Sequence, residues 1–304
     1  MTFVEQEIDS QPRLWRRTAA LAGEHADVLP ARGMRVAFVG CGTSFYLAQA
    51  LAGAREAAGH GESDAFAASE MPATRRYDLA VAISRSGTTT EVRRLVKRLA
   101  ASTPVLAITA DAGSPLAQDA DQALALAFAD ERSVVQTRFA TCTIVLVLAH
   151  LGRSIERAAD DAARALHDPP PVDPERLRQV VFLGRGGSVG LAQEAALKAR
   201  ESAGALSEAY PAMEYRHGPI ATAGPGTAVW SLDELPPGLA EQIAAADAQL
   251  VRPTGDPMAE LVGAQRLAVA MAKARGLDPD RPRNLTRAVV LAGEPDPGGG
   301  AGGR

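Results

Sequence analysis

The amino-acid sequence predicts an α/β protein made of two doubly wound parallel-sheet units. Short apolar segments alternate with helical or turn segments, as expected when parallel strands are joined by crossing helices. A shorter second series follows the first, so we expect two tandem units with helices on both faces of each sheet, the second unit shortened. The predicted strands are 34–39, 78–83, 104–109, 123–128, 179–183, 227–231 and 248–252, and the predicted helices include 13–22, 137–151 and 257–275.

A proline-rich segment separates the two series. Residues 168–174 contain four prolines, which remove backbone donors and favour an extended linker. The chain ends in a Gly/Pro-rich stretch, whose composition predicts disorder. The predicted boundaries are 1–151 for the first unit with its leading helix, 152–178 for the linker, 179–294 for the second unit and 295–304 for the disordered tail.

Composition narrows the possible function. The chain has 304 residues, a net charge of −4 and 46% hydrophobic residues, which indicates a globular protein and argues against nucleic-acid or anionic-membrane partners. Only two cysteines are present, and acidic residues occupy the amino terminus where a signal peptide would need basic and then apolar residues. We therefore expect a cytoplasmic protein. No His/Cys/Asp cluster has metal-ligand spacing, so neither a metal nor another cofactor is expected.

The most informative segment is the turn at 84–90, which follows an apolar strand and opens a helix. Ser84, Ser86 and Thr89 supply hydroxyl groups, and Gly87 allows a close backbone approach. Unpaired amides at the start of a helix attract anions. An ordinary helix cap needs only one hydroxyl, so five hydroxyl residues in this turn favour a phosphate site.

A second turn of this kind follows the strand at 34–39. It is not a dinucleotide-binding fingerprint, because Phe45 stands where the third glycine would be. Turns at the carboxyl ends of neighbouring parallel strands meet in one crevice. Gly42, Thr43 and Ser44 are therefore expected to line the pocket above residues 84–89.

Seven motifs in order make the chain resemble the SIS (sugar isomerase) family of phosphosugar proteins. Within that family it is most similar to the isomerase half of glucosamine-6-phosphate synthase and to amino-sugar deaminase/isomerases. The resemblance implies two tandem SIS-type units, and without a preceding amidotransferase domain we expect no glutamine-dependent synthesis. The motifs are 40–44, 84–89, 131 with 134–138, 196–201, 208–210, 217–219 and 278–287.

The resemblance implies that a sugar phosphate binds on the serine/threonine turn. The residues implied to surround it are Gly42, Thr43, Ser44, Ser84, Ser86, Gly87 and Thr89, with Glu131 and Val134 as wall residues. Arg85 stands where the synthase has glutamine, and a guanidinium there could give the phosphate a forked contact. Gln136 replaces a serine that lines the sugar.

Glu201 matches the family's catalytic base, which moves a proton between C1 and C2 of the open-chain sugar. Such a base needs a carboxylate held partly dry, so that its pKa rises toward the working pH. The plainer alternative is a solvated helix carboxylate paired with Lys198 three residues earlier. Lys198 itself matches a lysine close to the sugar.

His217 matches the histidine that assists ring opening and that a neighbouring subunit contributes in this family. The resemblance therefore implies a homodimer. Arg287 stands at the position of a lysine that forms a Schiff base in the synthase. Arginine stays protonated and cannot do so, and we expect it to hold an oxyanion or the phosphate instead.

Three functions are consistent with these residues. The first is isomerisation of an amino-sugar 6-phosphate of the glucosamine-6-phosphate type, with loss of ammonia when the 2-amino group is free. The second uses the same base to expel the 3-hydroxyl group of N-acetylglucosamine 6-phosphate as water, a lyase reaction. The third is a non-catalytic phosphosugar sensor, which the presence of both Glu201 and His217 disfavours.

Overall fold

The fold was described from a computed structural model, which describes residues 1–291. The predicted disordered tail at 295–304 lies outside the described residues. Nine strands form two all-parallel sheets, which confirms the predicted fold class. The strands of the first sheet are β1 Val36–Gly40, β2 Ser63–Ala67, β3 Leu79–Ile83, β4 Val105–Thr109 and β5 Gln122–Ala125, and those of the second are β6 Gln179–Gly184, β7 Leu206–Pro211, β8 Thr227–Ser231 and β9 Gln249–Val251.

Helices precede the first sheet and connect the strands of both sheets. Three short 3-10 turns follow β5 and β7 and complete the regular structure described within residues 1–291. The helices are α1 Phe3–Asp9, α2 Gln11–Glu24, α3 Thr43–Ala57, α4 Thr90–Leu99, α5 Pro115–Asp119, α6 Arg138–His150, α7 Glu156–Ala165, α8 Ser188–Ala203, α9 Leu239–Ala245 and α10 Pro257–Ala274. Within this part of the chain, no helix is long and apolar enough to cross a bilayer.

The strand order explains where a ligand site can form. The first sheet has the order β2-β1-β3-β4-β5 and the second has the order β7-β6-β8-β9. In the first sheet β2 lies on one side of β1 and β3 lies on the other, and in the second sheet β7 and β8 flank β6 in the same way. The switch points therefore lie between β1 and β3 and between β6 and β8, and ligand crevices open at the carboxyl ends of these strand pairs.

The largest core lies between the two sheets. Apolar side chains from one face of each sheet and from α2, α3, α6, α8 and α10 form a single buried cluster. Two smaller clusters cover the outer sheet faces, one under α4 and α5 and the other under α9. The two units thus share their main core, and the first half of the chain is held against the second by helix packing.

Two strands were not predicted from the sequence, and one predicted strand is shorter than expected. The strands β2 and β7 lie at sheet edges and are only half-buried, so they lack the continuous apolar run that identified the central strands. The predicted strand 123–128 ends at Ala125 and is followed by a 3-10 turn. The helix α8 ends at Ala203, because Gly204 adopts the left-handed conformation.

The span expected to be only a linker, residues 152–178, contains the helix α7. This helix packs against α10 and α2, which makes it part of the central helical layer. Its residues Ala158, Ala159 and Ala162 are buried, although its composition is too polar for an apolar pattern to stand out. The proline-rich stretch 168–174 has neither helix nor strand.

The close crossing of α3 and α8 generates the first testable prediction. A Cβ atom on Gly190 would lie 2.5 Å from the Ala50 nitrogen and 2.6 Å from the Tyr46 carbonyl oxygen, so Gly190→Ala must push the two helices apart. We expect the free energy of unfolding to fall by about 1–3 kcal/mol, measured by urea denaturation. Gly23→Ala is the matched control, because that helical glycine has no atom within 4 Å of an added Cβ and alanine should stabilise by about 0.5–1 kcal/mol. Equal effects of the two variants would contradict the prediction.

Candidate active site

The predicted phosphate turn lies at the carboxyl end of β3, on one side of the first switch point. Ser84 Oγ accepts a hydrogen bond from the Gly87 amide at 3.2 Å and lies 3.3 Å from Thr89 Oγ1. Ser86 Oγ accepts hydrogen bonds from the Thr88 amide and hydroxyl at 3.2 and 3.0 Å. These bonds hold the hydroxyl groups in one compact turn that leads directly into α4.

Gly87 is required by the shape of this turn. Its φ angle is +63°, in the left-handed region, and an added Cβ would lie 2.2 Å from Ser114 Oγ. The carbonyl of Gly87 also accepts the Leu116 amide at 2.9 Å. The turn is therefore fixed by its own hydroxyl groups and by the segment that follows β4.

The other side of the crevice is formed by the turn after β1. Gly42 is the N-cap residue of α3, and Thr43 and Ser44 begin that helix with both side chains buried. Because β1 and β3 are directly paired, with Val39 opposite Ala82, the two turns are neighbours. The structure therefore brings together the two segments that the sequence predicted to share one pocket.

A buried cluster of one lysine and two glutamates borders this crevice from α8. Lys198 Nζ lies 2.9 Å from Thr43 Oγ1, 3.2 Å from Glu194 Oε1 and 2.5 Å from Glu201 Oε2. The spacing of Glu194, Lys198 and Glu201 places all three on one face of the helix. The second unit therefore brings these three titratable residues to the switch point of the first.

Burial and charge set the protonation of this cluster in opposite ways. Burial raises the pKa of Glu194 to about 7, and the Lys198 ammonium offsets part of that rise. Burial acts to lower the pKa of Lys198, but the charges of Glu194 and Glu201 outweigh it and raise this pKa. Lys198 is therefore an ammonium at neutral pH, surrounded by two carboxyl groups.

Glu201 combines features of both interpretations considered from the sequence. It forms the expected ion pair with Lys198, but its side chain is only 19% exposed, so it is not an ordinary solvated carboxylate. Its partner Lys198 is 1% exposed. The carboxyl group of Glu201 thus lies at the edge of the buried cluster, where it remains partly accessible.

Glu194 has no role predicted from the sequence, and the tertiary structure adds it to this cluster. Glu194 is fully buried, accepts the Thr43 hydroxyl at 3.2 Å, and has one carboxylate oxygen, Oε2, with no hydrogen-bond partner in residues 1–291. Its position four residues before Lys198 was the available signal. Such spacing is common on exposed helix faces, and only the tertiary structure shows that this face is buried.

Arg85 does not face the phosphate turn, which corrects the expectation of a forked phosphate contact. Its side chain is 1% exposed and forms an ion pair with Glu131 at 3.1 Å. The guanidinium also donates to the carbonyl groups of Ser133, Val134 and Arg287 at 3.0–3.3 Å. With both terminal nitrogens of its guanidinium bonded inside the protein, Arg85 anchors the 131–134 segment and the chain end rather than a ligand.

Glu131 is likewise a support and not a wall residue that faces a ligand. Its Oε1 atom accepts the amide of Thr137, the N-cap residue of α6, at 2.5 Å and the amide of Arg138, the first residue of that helix, at 2.7 Å. It also accepts the Thr137 hydroxyl. Its Oε2 atom bonds Arg85. The carboxylate therefore caps α6 and neutralises Arg85 in the protein interior.

Val134 and Gln136 lie on the segment that Arg85 and Glu131 hold in place. Both residues are half-buried, and the Val134 amide lies 3.5 Å from the Asp280 carbonyl oxygen. The Gln136 Oε1 atom is buried and has no hydrogen-bond partner among the described residues. An unpaired acceptor of this kind is available to a donor group of a ligand.

Arg287 lies on the chain end that crosses the first unit. Its guanidinium donates to the Glu131 carbonyl and pairs with Asp130, and its side chain is 41% exposed. Further along, the Val289 carbonyl accepts the Thr90 amide at 3.2 Å, and the Leu291 amide donates to the Thr90 hydroxyl. The chain end therefore lies against the start of α4, next to the phosphate turn.

His217 is separated from these groups in the single chain. It is exposed and follows the 3-10 turn Glu214–Arg216, beyond the carboxyl end of β7. Its backbone amide bonds the Glu214 carbonyl at 2.9 Å, and its ring has no hydrogen-bond partner in residues 1–291. Among those residues no group of three or more His, Cys, Asp or Glu side chains could hold a metal ion.

Fold and site together define a doubly wound α/β protein with a hydroxyl-rich crevice at its first switch point. Residues 31–151 match the family model of the SIS domain. These residues contain both turns of the crevice. This match confirms, for these residues, the resemblance to the SIS family found from the motifs.

Known proteins extend the similarity beyond that domain. Over 95% of its length the chain is 30% identical to a glutamine–fructose-6-phosphate aminotransferase (isomerizing) of Aeropyrum pernix, and it spans 57% of that relative. A crystal structure of glucosamine-6-phosphate deaminase from Thermotoga maritima superposes with a TM-score of 0.81 at 27% identity, covering 95% of this chain and 100% of that one. A tagatose-6-phosphate ketose/aldose isomerase of Escherichia coli shares the fold, with a TM-score of 0.76, 21% identity and coverage of 95% and 96%.

The Arg85–Glu131 pair generates the second prediction. Arg85→Met should leave a buried carboxylate without its cation and lower the free energy of unfolding by about 3–5 kcal/mol. Arg93→Met is the matched control, because the Arg93 side chain is 34% exposed in its pair with Asp119 and should contribute at most about 1 kcal/mol. Urea denaturation of both variants measures the difference. If Arg85→Met instead lost phosphosugar affinity with unchanged stability, Arg85 would be a ligand-binding residue and the prediction would be wrong.

The raised pKa of Glu194 generates the third prediction, a pH dependence of stability. The folded protein holds the Glu194 proton up to about pH 7, whereas the unfolded chain releases it near 4.5. The stabilisation from this proton is therefore complete below pH 4.5 and is lost as the pH rises to 7, by at most about 1.4 kcal/mol per pH unit. Glu194→Gln should remove this part of the pH dependence of the free energy of unfolding, measured by urea denaturation between about pH 4.5 and 8. Identical slopes for the variant and the wild type would contradict it.

Proposed function

We propose that this protein acts on an open-chain amino-sugar 6-phosphate of the glucosamine-6-phosphate type, which it isomerises and deaminates. The observation that carries the proposal is the joining of two kinds of group at one crevice. Thr43, in the turn after β1 that faces the phosphate turn across the crevice, bonds Lys198, and Lys198 bonds the carboxylate of Glu201. A phosphate held on residues 84–89 would therefore have a carboxylate base on the opposite side of the crevice.

The proposed reaction begins with proton abstraction. Glu201 removes the proton from C2 of the open-chain aldose, which is acidified by the neighbouring C1 carbonyl, and an enediol-type intermediate forms. Return of a proton to C1 yields the C2 imine, which is the nitrogen analogue of the ketose. Water adds to that imine and ammonia leaves, so that glucosamine 6-phosphate and water give fructose 6-phosphate and ammonia.

Lys198 and Arg287 have supporting roles in this proposal. The Lys198 ammonium orients Glu201 and lies close enough to stabilise negative charge that develops on a sugar oxygen. Arg287 lies on the chain end beside the phosphate turn, with a half-exposed guanidinium, and we assign it to the oxyanion or the phosphate. Its identity as arginine leaves no amine at this position for a Schiff base.

The homodimer is also part of the proposal. His217 would assist ring opening in the site of the partner subunit, since its ring is exposed and has no hydrogen-bond partner within residues 1–291. Exposed apolar side chains occur on the same stretch of the chain, Leu206 at 73% at the start of β7 and Met213 at 48% after its end, and they favour burial against another copy. A cytoplasmic location fits a phosphorylated metabolite as substrate.

The fourth prediction tests the base. Glu201→Gln keeps the size of the side chain but removes its basicity, so turnover of glucosamine 6-phosphate should fall by roughly 10²–10⁴-fold while ligand binding persists. Ammonia release and fructose 6-phosphate are measured, together with entry of solvent deuterium at C1 or C2. Glu241→Gln, at an exposed position on α9, is the matched control and should retain activity. Full activity of Glu201→Gln would overturn the assignment.

Two further arms separate the alternatives. N-acetylglucosamine 6-phosphate cannot lose ammonia directly. If the protein turns over only this sugar and forms an ultraviolet-absorbing enal from it, the reaction is dehydration and not deamination. Binding of both sugars without turnover of either would indicate a sensor.

For the dimer, mixed Glu201→Gln and His217→Ala chains should regain activity in heterodimers if His217 crosses the interface, and failure to do so would contradict donation across it.

A further inference from the structure

A cavity of about 520 Å³ lies between the two units, and none of its lining residues belongs to the candidate active site. It is bounded by the end of α3, the end of α6 and the beginnings of α8 and α10. Most of its wall is apolar, formed by side chains that include Ala54, Ala57, Ile144, Leu148, Leu191 and Met258. Its volume is within the usual range for small-molecule sites.

The cavity occupies the switch point of the second sheet. Arg185 and Ser188 follow the carboxyl end of β6, Asp233 follows that of β8, and all three line the cavity. In open parallel sheets this is the position where ligands bind, and the first sheet uses its equivalent crevice for the phosphate turn. The turn after β6 carries one hydroxyl residue, Ser188, so its chemistry differs from that of residues 84–89.

Two arginines and two aspartates line the cavity, and they differ in their partners. Arg153 is paired with Asp256 at 2.5 Å. The Asp233 carboxylate accepts the Ser188 hydroxyl at 3.1 Å and the Glu234 amide at 2.8 Å. The guanidinium of Arg185 is exposed and has neither an ion pair nor a hydrogen bond within residues 1–291. The Arg185 guanidinium is therefore available to bind an anion at the apolar cavity, which the hydrogen-bonded Asp233 carboxylate also lines.

We propose that this cavity is a second ligand site, which binds a small organic anion with an aliphatic body. The body would fill the apolar space between α3, α6 and α8, and the carboxylate or phosphate head would bind the Arg185 guanidinium. Arginine forms forked, charge-assisted hydrogen bonds with both kinds of head group. This site is separate from the proposed sugar reaction and does not depend on it.

The experiment titrates the full chain with hexanoate, hexyl phosphate and uncharged hexan-1-ol by calorimetry. We expect at least one of the two anions to bind more tightly than the alcohol, and the tighter one identifies the head group. Arg185→Met should weaken its binding at least about tenfold, and Arg185→Lys should weaken it less. Arg13→Met, which removes an exposed arginine on α2, is the matched control and should bind as the wild type does.

A second pair of variants tests the apolar part of the site. Ala57→Leu at the exposed end of α3 should narrow the cavity and weaken binding of the anion, whereas Ala20→Leu on the exposed face of α2 should not. The double variant Ser84→Ala/Ser86→Ala should lose phosphosugar affinity and keep the aliphatic anion. The proposal is overturned if neither anion binds, if Arg185→Met and Ala57→Leu both bind like the wild type, or if that double variant abolishes anion binding.

Discussion

The arrangement of the candidate site depends on one buried ammonium group. Lys198 belongs to the second unit, but its partners include Thr43 at the start of α3 in the first unit. A buried charge without partners would cost several kcal/mol. Glu194 and Glu201 reach the ammonium from its own helix, and Thr43 supplies a hydrogen bond from the first unit. This hydrogen bond holds α8 in a position where Lys198 and its two glutamates lie beside the turn after β1.

Close packing of two helices is the second condition. Gly190 lets α8 approach the backbone of α3 near Ala50, so that little space is left between them. The beginning of α3 and the end of α8 border the candidate active site. The end of α3 and the beginning of α8 border the cavity beside Arg185. One helix pair thus contributes to both switch-point crevices, at opposite ends of the same contact.

The two arginines that depart from the family pattern are both bound to one segment. Arg85 bonds Glu131 and the carbonyl groups of 133 and 134, and Arg287 bonds Asp130 and the Glu131 carbonyl. Arg85 also bonds the Arg287 carbonyl. Guanidinium groups suit this task because each has several donors in a fixed plane. They attach the chain end to the first unit beside the phosphate turn.

The sequence by itself determined the fold class, the central strands and the two turns that meet at the first crevice. These follow from local patterns: apolar runs for buried strands, and hydroxyl and glycine residues where a strand turns into a helix. The edge strands β2 and β7 were not predictable in this way, because an edge strand is only half-buried. Tertiary structure alone decided that Arg85 turns inward to Glu131 and that Glu194 is part of the lysine cluster. Both outcomes depend on partners more than forty residues away or on burial of a helix face, and neither is encoded by spacing within one element.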